Sequence, residues 1–374
     1  MDPEPSPFIF DGPVPPEEVL GRDSELQALR RRAEIGRFTL LYAPRRFGKT
    51  SLIGRLRADA ERSGALAVVL ADLEGCQTLD DLGRRLGNAY QRLPKTRVGE
   101  LLAAGAVALR AVQPTASTPI GSLSLGGPAP AQSTFEHLLR LPLEAAQRTG
   151  TRVLVVFDEF QTVAEIRGAD SVLRSQIQHQ RQHVSYLFSG SERHLLLGIF
   201  SDQARPLYGQ AEQLQLGPLP AEAAVALVSG KFAATGRDPG TTLESLVSAA
   251  QGHPQRLAFL ADSLWHCTAA GGQADESTWN AALERALQAA GPEFVALDMA
   301  LGLTQRKVLR LLAWGEPVTG AAAARLGLVK SSARKALESL VNRSLARPRE
   351  TADERPVLVD PLLAIWVRQR QGRP

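Results

Sequence analysis

Three residues, Gly48, Lys49 and Thr50, have the types and the spacing that bind phosphate groups. They close the stretch 43–50, which matches the pattern GxxxxGK[ST] except that Ala43 stands at the first glycine position. The glycine lets the backbone approach a phosphate, and free N–H groups at the start of a following helix attract negative charge. In this pattern the lysine reaches the β and γ phosphates, and the threonine hydroxyl binds Mg²⁺. The predicted phosphate loop consists of Ala43, Pro44, Arg45, Arg46, Phe47, Gly48, Lys49, Thr50 and Ser51.

Two adjacent carboxylates, Asp158 and Glu159, end a second stretch with evident chemistry. The five apolar residues 153–157 before them predict a strand that is buried on both faces. Ligands bind at the carboxyl ends of the strands of a parallel sheet. Asp158 is therefore in a position to hold Mg²⁺ through water, and Glu159 is in a position to polarise a water that attacks a γ phosphate.

Polar residues also follow a third apolar run, 184–188. We predict that Ser189 or Ser191 contacts the γ phosphate or the attacking water, with a simple strand-ending turn as the alternative. Arg193 and Arg205 come next, and either is a candidate for a phosphate contact, in its own chain or from a neighbouring subunit. A purely surface role is the alternative for each arginine.

These side chains need a sheet to hold them, and the apolar runs predict one. Runs without polar interruptions indicate strands buried on both faces, as in a parallel sheet. The interval between the first two runs suits a right-handed crossover through a helix. One predicted strand begins at Thr39, and the others cover 65–73, 153–157, 184–188 and 214–219.

Helical patterns dominate after the last of these runs, first over 220–231 and 242–250. The next segment, 252–256, opens a further helix. Arg256 lies on its first turn and is a candidate for a phosphate contact, with a solvated helix arginine as the alternative. His253 has no metal-binding neighbour in the sequence, and we interpret it as structural.

The chain from about Leu301 onwards has the spacing of a helix-turn-helix with a wing. Two helical patterns lead to a third that opens at Lys330, and 347–359 resembles a two-stranded wing. The third helix and the wing are predicted to contact duplex DNA, with packing on a protein surface as the alternative. Trp366, in a closing helix, is interpreted as a core residue. The predicted DNA contacts are Ser331, Ser332, Arg334 and Lys335 on the helix and Arg347, Arg349 and Arg355 on the wing.

Length and composition limit the number of domains and the kind of partner. With 374 residues and 44% hydrophobic content, the chain can bury more than one core. The formal net charge of +4 is uneven, because residues 301–374 contain 14 Lys and Arg against 6 Asp and Glu. The interval 103–133 is rich in Ala, Pro, Ser and Gly, and we interpret it as a loop-like insertion that either binds a partner or is a tolerated surface segment.

The cysteines and the overall hydropathy exclude several classes of protein. Cys76 and Cys267 lie far apart and lack metal-type neighbours, so neither a disulfide framework nor a zinc site is indicated. No stretch approaches the roughly 20 apolar residues that span a bilayer, and the proline-rich N-terminus is unlike a signal peptide. We therefore expect a cytoplasmic protein that does not contact a membrane.

Six short motifs occur in order along the chain: VLGR, APRRFGKTS, VVFDEFQ, SGSE, GHPQR and DPLLAIW. In this order they resemble the archaeal-type ATPase family, a STAND-related branch of the AAA+ P-loop ATPases, over nearly the whole chain apart from 103–133. The family pattern places an adenine-side element before the first helix and a proline of the helical lid near the nucleotide. The residues to which the resemblance assigns roles are Gly21, Arg22, Ser189 and Pro254 for nucleotide, Thr50 and Asp158 for magnesium, and Lys49 and Glu159 for catalysis.

The resemblance also implies an architecture and a function. The expected fold is α/β: a P-loop core with a parallel five-stranded sheet of order 5-1-4-3-2, a helical lid and a C-terminal winged helix. We place these domains at 1–219, 220–295 and 296–374. The predicted function is an ATPase switch that uses ATP, ADP and Mg²⁺ and controls a surface for DNA, a protein partner or self-association. The alternatives are a DNA-binding regulator or scaffold with nucleotide as a structural ligand, and a kinase, for which no acceptor site is evident.

Overall fold

The computed structural model describes residues 5–111, 131–347 and 355–374. They form two compact units. The sheet unit consists of Asp23–Ala43 and Leu52–Leu216, and the helical unit consists of the described residues of Met1–Arg22, Pro44–Ser51 and Gly217–Pro374. Among the described residues, no helix has both the length and the apolar character needed to cross a membrane.

The sheet unit is built on five parallel strands. Their order is β2-β3-β4-β1-β5, which is the predicted order read from the opposite edge, so the predicted sheet is confirmed. Every residue of β1 and β4 is buried, which explains why their sequences are mostly apolar and do not alternate between apolar and charged residues. The strands are β1 (Thr39–Tyr42), β2 (Leu66–Asp72), β3 (Arg152–Asp158), β4 (Val184–Gly190) and β5 (Glu212–Gln215).

Helices connect and cover these strands. The aromatic rings of Phe157, Tyr186 and Phe188, on neighbouring strands β3 and β4, stack with centroids 6.1–6.2 Å apart in the core of the unit. The helices are α1 (Asp23–Glu34), α2 (Lys49–Ser63), whose first residues belong to the helical unit, α3 (Leu79–Gln91), α4 (Arg97–Ala111), α5 (Ala131–Thr149), α6 (Ala169–Ile177) and α7 (Arg193–Ser201), with a short 3₁₀ helix at Phe160–Glu165.

The prediction of a loop-like insertion over 103–133 is wrong at both of its ends. Residues 103–111 lie inside α4, and residues 131–133 begin α5, while the residues between them lie outside the described part of the chain. The segment 103–111 is rich in alanine, which is the strongest helix former, and this preference outweighs the composition that suggested a loop.

The last strand of the sheet is also displaced from its predicted position. It occupies Glu212–Gln215 instead of 214–219. A Gly-Pro dipeptide follows it, and proline has no N–H group to donate to a neighbouring strand. The strand therefore ends before most of the apolar residues on which the prediction was based.

The helical unit contains the predicted lid helices and a helix-turn-helix with a wing. The two short strands β6 and β7 pair antiparallel, and Trp366 packs on Phe294 in the core as predicted. Near the N-terminus, the ring of Phe8 packs on Phe232. The elements are α8 (Ala221–Ala234), α9 (Thr242–Ala250), α10 (Pro254–Cys267), α11 (Glu276–Met299), α12 (Leu303–Ala313), α13 (Ala321–Arg325), α14 (Lys330–Asn342), β6 (Ala346–Arg347), β7 (Val357–Leu358) and α15 (Pro361–Arg370).

One helix passes through a predicted domain boundary. Helix α11 continues across 295/296, where the lid was predicted to end, and stops at Met299. It packs against both α10 and α15. The division into core, lid and winged-helix domains at 219 and 295 stays a prediction.

Candidate functional site

The phosphate-loop segment Pro44–Ser51 follows β1 directly and has an unusual backbone. Arg46 and Gly48 both have left-handed φ angles, of 67° and 87°. Alternating left-handed residues turn successive N–H groups toward one side and form a concavity that binds anions. Among the described residues, none accepts a hydrogen bond from the backbone N–H groups of 45–48. This conformation fits a phosphate group.

Lys49 and Thr50 form the first turn of α2, where the helix dipole favours negative charge. Lys49 is 6% exposed, and its ammonium lies 3.4 Å from the carbonyl oxygen of Pro44. The Thr50 side chain is exposed. The Ser51 hydroxyl instead accepts a hydrogen bond from the backbone N–H of Val14 at 3.2 Å. A buried lysine followed by an exposed threonine matches the residue types expected to bind phosphate and Mg²⁺.

In the sheet unit, Asp158 and Glu159 stand at the carboxyl end of β3, as predicted. Asp158 is 8% exposed, and its Oδ1 accepts a hydrogen bond from the N–H of Glu159 at 3.1 Å. Glu159 has a left-handed backbone with φ 51°, which is uncommon outside glycine and asparagine. Its carbonyl accepts from both the N–H and the hydroxyl of Thr162, at 3.2 and 2.9 Å. The fold thus holds Glu159 in a strained conformation of the kind that concentrates at functional sites.

Two side chains hold the Glu159 carboxylate. Ser191 Oγ donates to Glu159 Oε2 at 3.2 Å, and the amide of Gln161 donates to the same oxygen. Ser189, the serine to which the resemblance assigns a nucleotide contact, is fully buried, and its hydroxyl has no hydrogen-bond partner among the described residues. Of the two candidate serines, Ser191 contacts the carboxylate, and the nucleotide contact of Ser189 stays a prediction.

The two candidate phosphate-binding arginines of the sheet unit differ in their surroundings. Arg193 is exposed, and its guanidinium lies 5.6 Å from the centre of the Tyr42 ring. Arg205 pairs with the largely buried carboxylate of Asp170 at 3.1 Å. Arg205 is therefore already engaged within its own chain, whereas Arg193 presents its charge to solvent. An arginine-finger role stays a prediction for both.

The predicted adenine-side element, Gly21 and Arg22, lies in the helical unit. Gly21 has φ 65°, and a side chain there would collide with Ala223 and Leu219, so the position requires glycine. Arg22 is 5% exposed, and it donates to the carbonyl of Gly217 at 2.8 Å. This contact anchors the backbone ahead of α1. An adenine contact by either residue stays a prediction.

The segment GHPQR opens α10 by a cap that includes His253. The Nδ1 atom of His253 accepts the backbone N–H of Arg256 at 3.3 Å, and Pro254 occupies the first helical position, where no N–H is needed. The imidazole meets the ring of Phe47 edge-on, with centroids 4.9 Å apart. The structural interpretation of His253 is confirmed. A contact of Pro254 with nucleotide stays a prediction.

Burial lowers the pKa of His253 to about 4. The carboxylate of Asp360 opposes this shift, whereas the cations of Arg256 and Arg46 add to it. The neutral imidazole is also the form that can accept the cap hydrogen bond through Nδ1. The folded protein therefore keeps His253 neutral at pH values where the unfolded chain protonates it.

His253 is expected to make the protein less stable as the pH falls from about 6.5 to about 4. In this window the unfolded chain binds a proton at His253 and the folded chain does not, so the difference reaches about 3 kcal/mol at the lower end. The measurement is urea unfolding across the window, for wild type and for His253→Asn, which keeps a cap acceptor but cannot titrate. The wild-type free energy of unfolding should fall more steeply than that of the variant. Parallel pH curves for the two proteins would contradict the assignment.

Arg256 takes part in a chain of ion pairs within the helical unit. It is 3% exposed, and its Nε donates to both carboxylate oxygens of Asp360 at 3.0 Å, while Nη2 also donates to that carboxylate. Its Nη2 lies 3.7 Å from Glu293 on α11, and the other oxygen of Glu293 lies 3.4 Å from Nη1 of Arg46. Arg256 is thus a buried, paired residue, unlike the solvated alternative. Its phosphate contact stays a prediction.

The first turns of α14 carry the predicted DNA contacts. Ser331, Ser332, Arg334 and Lys335 are all exposed, and the two cations form no ion pair with any residue that the structure describes. The wing is only partly described. Arg347 lies in β6, Arg349 lies outside the described residues, and the guanidinium of Arg355 donates to the carbonyl of Gly315 at 2.9 Å.

This architecture is similar to that of proteins of known structure. No protein-family model matches the chain, and no curated protein matches its sequence. The structure of the Walker-type ATPase of Pyrococcus abyssi matches with a TM-score of 0.69 and 19% identity, over 96% of this chain and 99% of that one. The ORC2 protein of Aeropyrum pernix matches at 0.59 and 16% identity in its ADPNP–ADP complexes, over 96% of each chain. Its ADP form matches at 0.52 and 15%, over 97% of this chain and 98% of that one.

The chain has the fold of a Walker-type ATPase. This finding confirms, at the level of the fold, the resemblance to archaeal AAA+ P-loop ATPases that the ordered motifs predict. The structure of this chain contains the parallel sheet and the C-terminal winged helix that were expected.

The structure also brings into the candidate site residues to which the sequence alone assigned no role. Gln161 was visible only as the last letter of VVFDEFQ, without a role. Asp360 precedes a proline at the start of a helix, which is a recognisable cap signal, but its pairing with Arg256 spans 104 positions. Glu293 lies in the interior of α11 with no local signal at all.

Proposed function

We propose that this chain binds ATP and hydrolyses it slowly, as a STAND/AAA+-type switch whose nucleotide state controls the surface of its winged helix. The observation that carries the proposal is the chain of ion pairs in the helical unit. It runs from Arg46 in the phosphate loop through Glu293 and Arg256 to Asp360 at the start of α15. A change at the loop therefore has a direct electrostatic route to the winged helix.

The proposed chemistry assigns a task to each motif residue. The free N–H groups of 45–48 and the ammonium of Lys49 bind the phosphates, and Thr50 and Asp158 are the residues that would hold Mg²⁺. Mg²⁺, when bound there, would supply positive charge that offsets the negative charge of the phosphate groups. Glu159 accepts a proton from the attacking water. The complexes of the structurally similar ORC2 protein with ADPNP and ADP support nucleotide binding by this fold.

The proposed coupling depends on the sharing of Glu293 between two arginines. The pair of Glu293 with Arg46 is exposed on both sides, at 57% and 51%, and such pairs contribute at most about 1 kcal/mol. A γ phosphate in the loop attracts Arg46 away from Glu293. Glu293 is then free to pair more fully with Arg256, which competes with the contact between Arg256 and Asp360. Loss of the γ phosphate reverses this competition.

A second candidate function is a DNA-binding regulator that holds nucleotide as a structural ligand. The exposed cations Arg334 and Lys335 on α14 favour it, because cations without acidic partners are available to phosphate groups. In this case DNA binding would depend on salt and on α14, and it would not depend on hydrolysis.

The test compares ATP-loaded and ADP-loaded protein in one experiment with two readouts, molecular size and affinity for duplex DNA at several salt concentrations. The switch predicts a difference between the two nucleotides in wild type that disappears in Lys49→Ala. The regulator predicts DNA binding that persists in Lys49→Ala and is lost in the double variant Arg334→Ala/Lys335→Ala.

A matched control for the DNA arm lies directly after the same helix. Arg343 is exposed at the far end of α14, so Arg343→Ala should leave DNA affinity nearly unchanged. Identical size and DNA affinity with ATP and ADP would contradict the switch. Equal loss of affinity in Arg343→Ala and in the double variant would contradict a defined contact through the first turns of α14.

A further inference from the structure

The Glu159 carboxylate is held by one of its two oxygens. Gln161 and Ser191 both donate to Oε2, and these two residues are only 7% and 3% exposed. No residue in the described part of the chain donates to Oε1 of Glu159. The arrangement fixes the plane of the carboxylate and leaves one defined oxygen open as an acceptor.

The amide of Gln161 is itself confined. Its Oε1 lies so close to Gly190 that a Cβ at that position would overlap it. Gly190 has no left-handed φ, so it is this close approach that requires glycine here. Reversal of the amide would turn its oxygen toward the Glu159 carboxylate, where two acceptors would repel. The geometry therefore permits one orientation, with the amide N–H groups on Glu159.

The amide oxygen of Gln161 is buried and accepts no hydrogen bond from any described residue. A buried acceptor without a donor is costly, and a water molecule satisfies it where the site is polar. The Ser189 hydroxyl, also on this part of the sheet edge, is buried and lacks a partner within the described residues as well. The unsatisfied oxygen of Gln161, which is near Glu159 in the chain, and that of Ser189, which is near it in the sheet, indicate that ordered water binds at this edge.

We propose that Gln161, with Ser191, is a positioning residue that aims Oε1 of Glu159 at the water that attacks the γ phosphate. The inference rests on the proposed ATP hydrolysis. In that step the water oxygen forms a bond to the γ phosphorus while the bond from phosphorus to the leaving oxygen of ADP breaks. The proton lost by the water passes to Oε1 of Glu159 and from there to the phosphate product. Gln161 touches neither the nucleotide nor the bond that breaks.

The test measures kcat, KM and ATP affinity for Gln161→Leu, Ser191→Ala and Gly190→Ala. Gln161→Leu keeps the bulk of the side chain and removes both polar groups, and Gly190→Ala displaces the amide from its site. We expect each variant to lower kcat, by about 10- to 100-fold for Gln161→Leu, because misorientation of a reacting group costs this much. KM and ATP affinity should change by no more than about twofold, because the phosphate loop is untouched.

A double-variant comparison distinguishes positioning from mere structural support. If Gln161 acts through Glu159, then Gln161→Leu should lower the residual rate of Glu159→Gln no further. The matched control is Gln180→Leu, because Gln180 is a buried glutamine of the same unit whose side chain, among the described residues, bonds to Leu139, Gln176 and Tyr186 and not to Glu159. It should lose stability without a change in kcat of the folded protein.

Three results would overturn the inference. Wild-type kcat in Gln161→Leu would overturn it while leaving the proposed ATPase intact. Equal rate losses for Gln161→Leu in the wild-type and Glu159→Gln backgrounds, together with a lower melting temperature, would assign Gln161 to structural support. Absence of ATP hydrolysis by the wild-type protein would overturn the proposed function and the inference together, and the ATP affinity measured beside it would show whether nucleotide binding remains.

Discussion

Lys49→Ala is expected to lower kcat/KM for ATP hydrolysis by at least about 100-fold, because it removes a preorganised cation from the place where phosphate charge develops. Lys49 is almost wholly buried at the first turn of α2, so its ammonium faces little competing water. The exposed Arg45 and Arg46 beside it are less confined. The measurement is phosphate release at several ATP concentrations, with nucleotide affinity determined separately.

Two further variants make this result specific. Lys95→Ala removes an exposed lysine of the sheet unit, outside the phosphate loop, and should leave the rate unchanged. Glu159→Gln should lower kcat while ATP still binds, since it removes the acceptor of the proton and leaves the phosphate loop intact. Hydrolysis by Lys49→Ala at the wild-type rate would contradict the assignment of the phosphate loop, and hydrolysis by Glu159→Gln at the wild-type rate would contradict the catalytic carboxylate.

The central strands of the sheet were predictable because a strand that is buried on both faces has a mostly apolar sequence. Strand β3 contains an unbroken apolar run and β4 a mostly apolar one interrupted by Ser185, and both strands lie where those runs are. The edge strand β5, Glu212–Gln215, alternates between half-buried and exposed residues and contains three polar ones. Its pairing with β1 is a tertiary contact that no local sequence pattern indicates. The predicted strand was therefore placed over the more apolar residues that follow.

The candidate site was predictable where its chemistry is local in the chain. Gly48, Lys49 and Thr50 are consecutive, and Asp158 and Glu159 are adjacent, so their spacing alone indicated phosphate and carboxylate chemistry. The contacts that orient these residues are long-range. Ser191 reaches Glu159 across 32 positions, and Arg256 reaches Asp360 across 104. Such pairs depend on which strands and helices become neighbours, so only the fold reveals them.

The largest loss of stability is expected from Asp360→Ala. Arg256 is 3% exposed, and removal of Asp360 leaves its buried guanidinium with only the more distant carboxylate of Glu293, 3.7 Å away, among the described residues. Loss of one partner of a buried ion pair costs about 3–5 kcal/mol. Asp360 also accepts the N–H groups of Leu362 and Leu363 at 3.0 and 3.3 Å, so the cap of α15 is lost as well. Urea unfolding followed by tryptophan fluorescence measures the effect, because Trp366 lies on the same helix and is buried.

The cap and the ion pair can be separated with variants that the chain itself offers. Asp275 caps α11 by accepting the N–H of Thr278 at 2.8 Å and has no arginine partner among the described residues, so Asp275→Ala removes a cap alone. Asp360→Asn keeps a cap acceptor and removes the charge. We expect Asp360→Ala to cost the most, Asp360→Asn less, and Asp275→Ala the least. Equal losses for Asp360→Ala and Asp275→Ala would mean that the pair with Arg256 adds nothing beyond the cap. Adding Arg256→Met to Asp360→Ala should recover part of the lost stability, because the unpaired charge then leaves the core together with its partner.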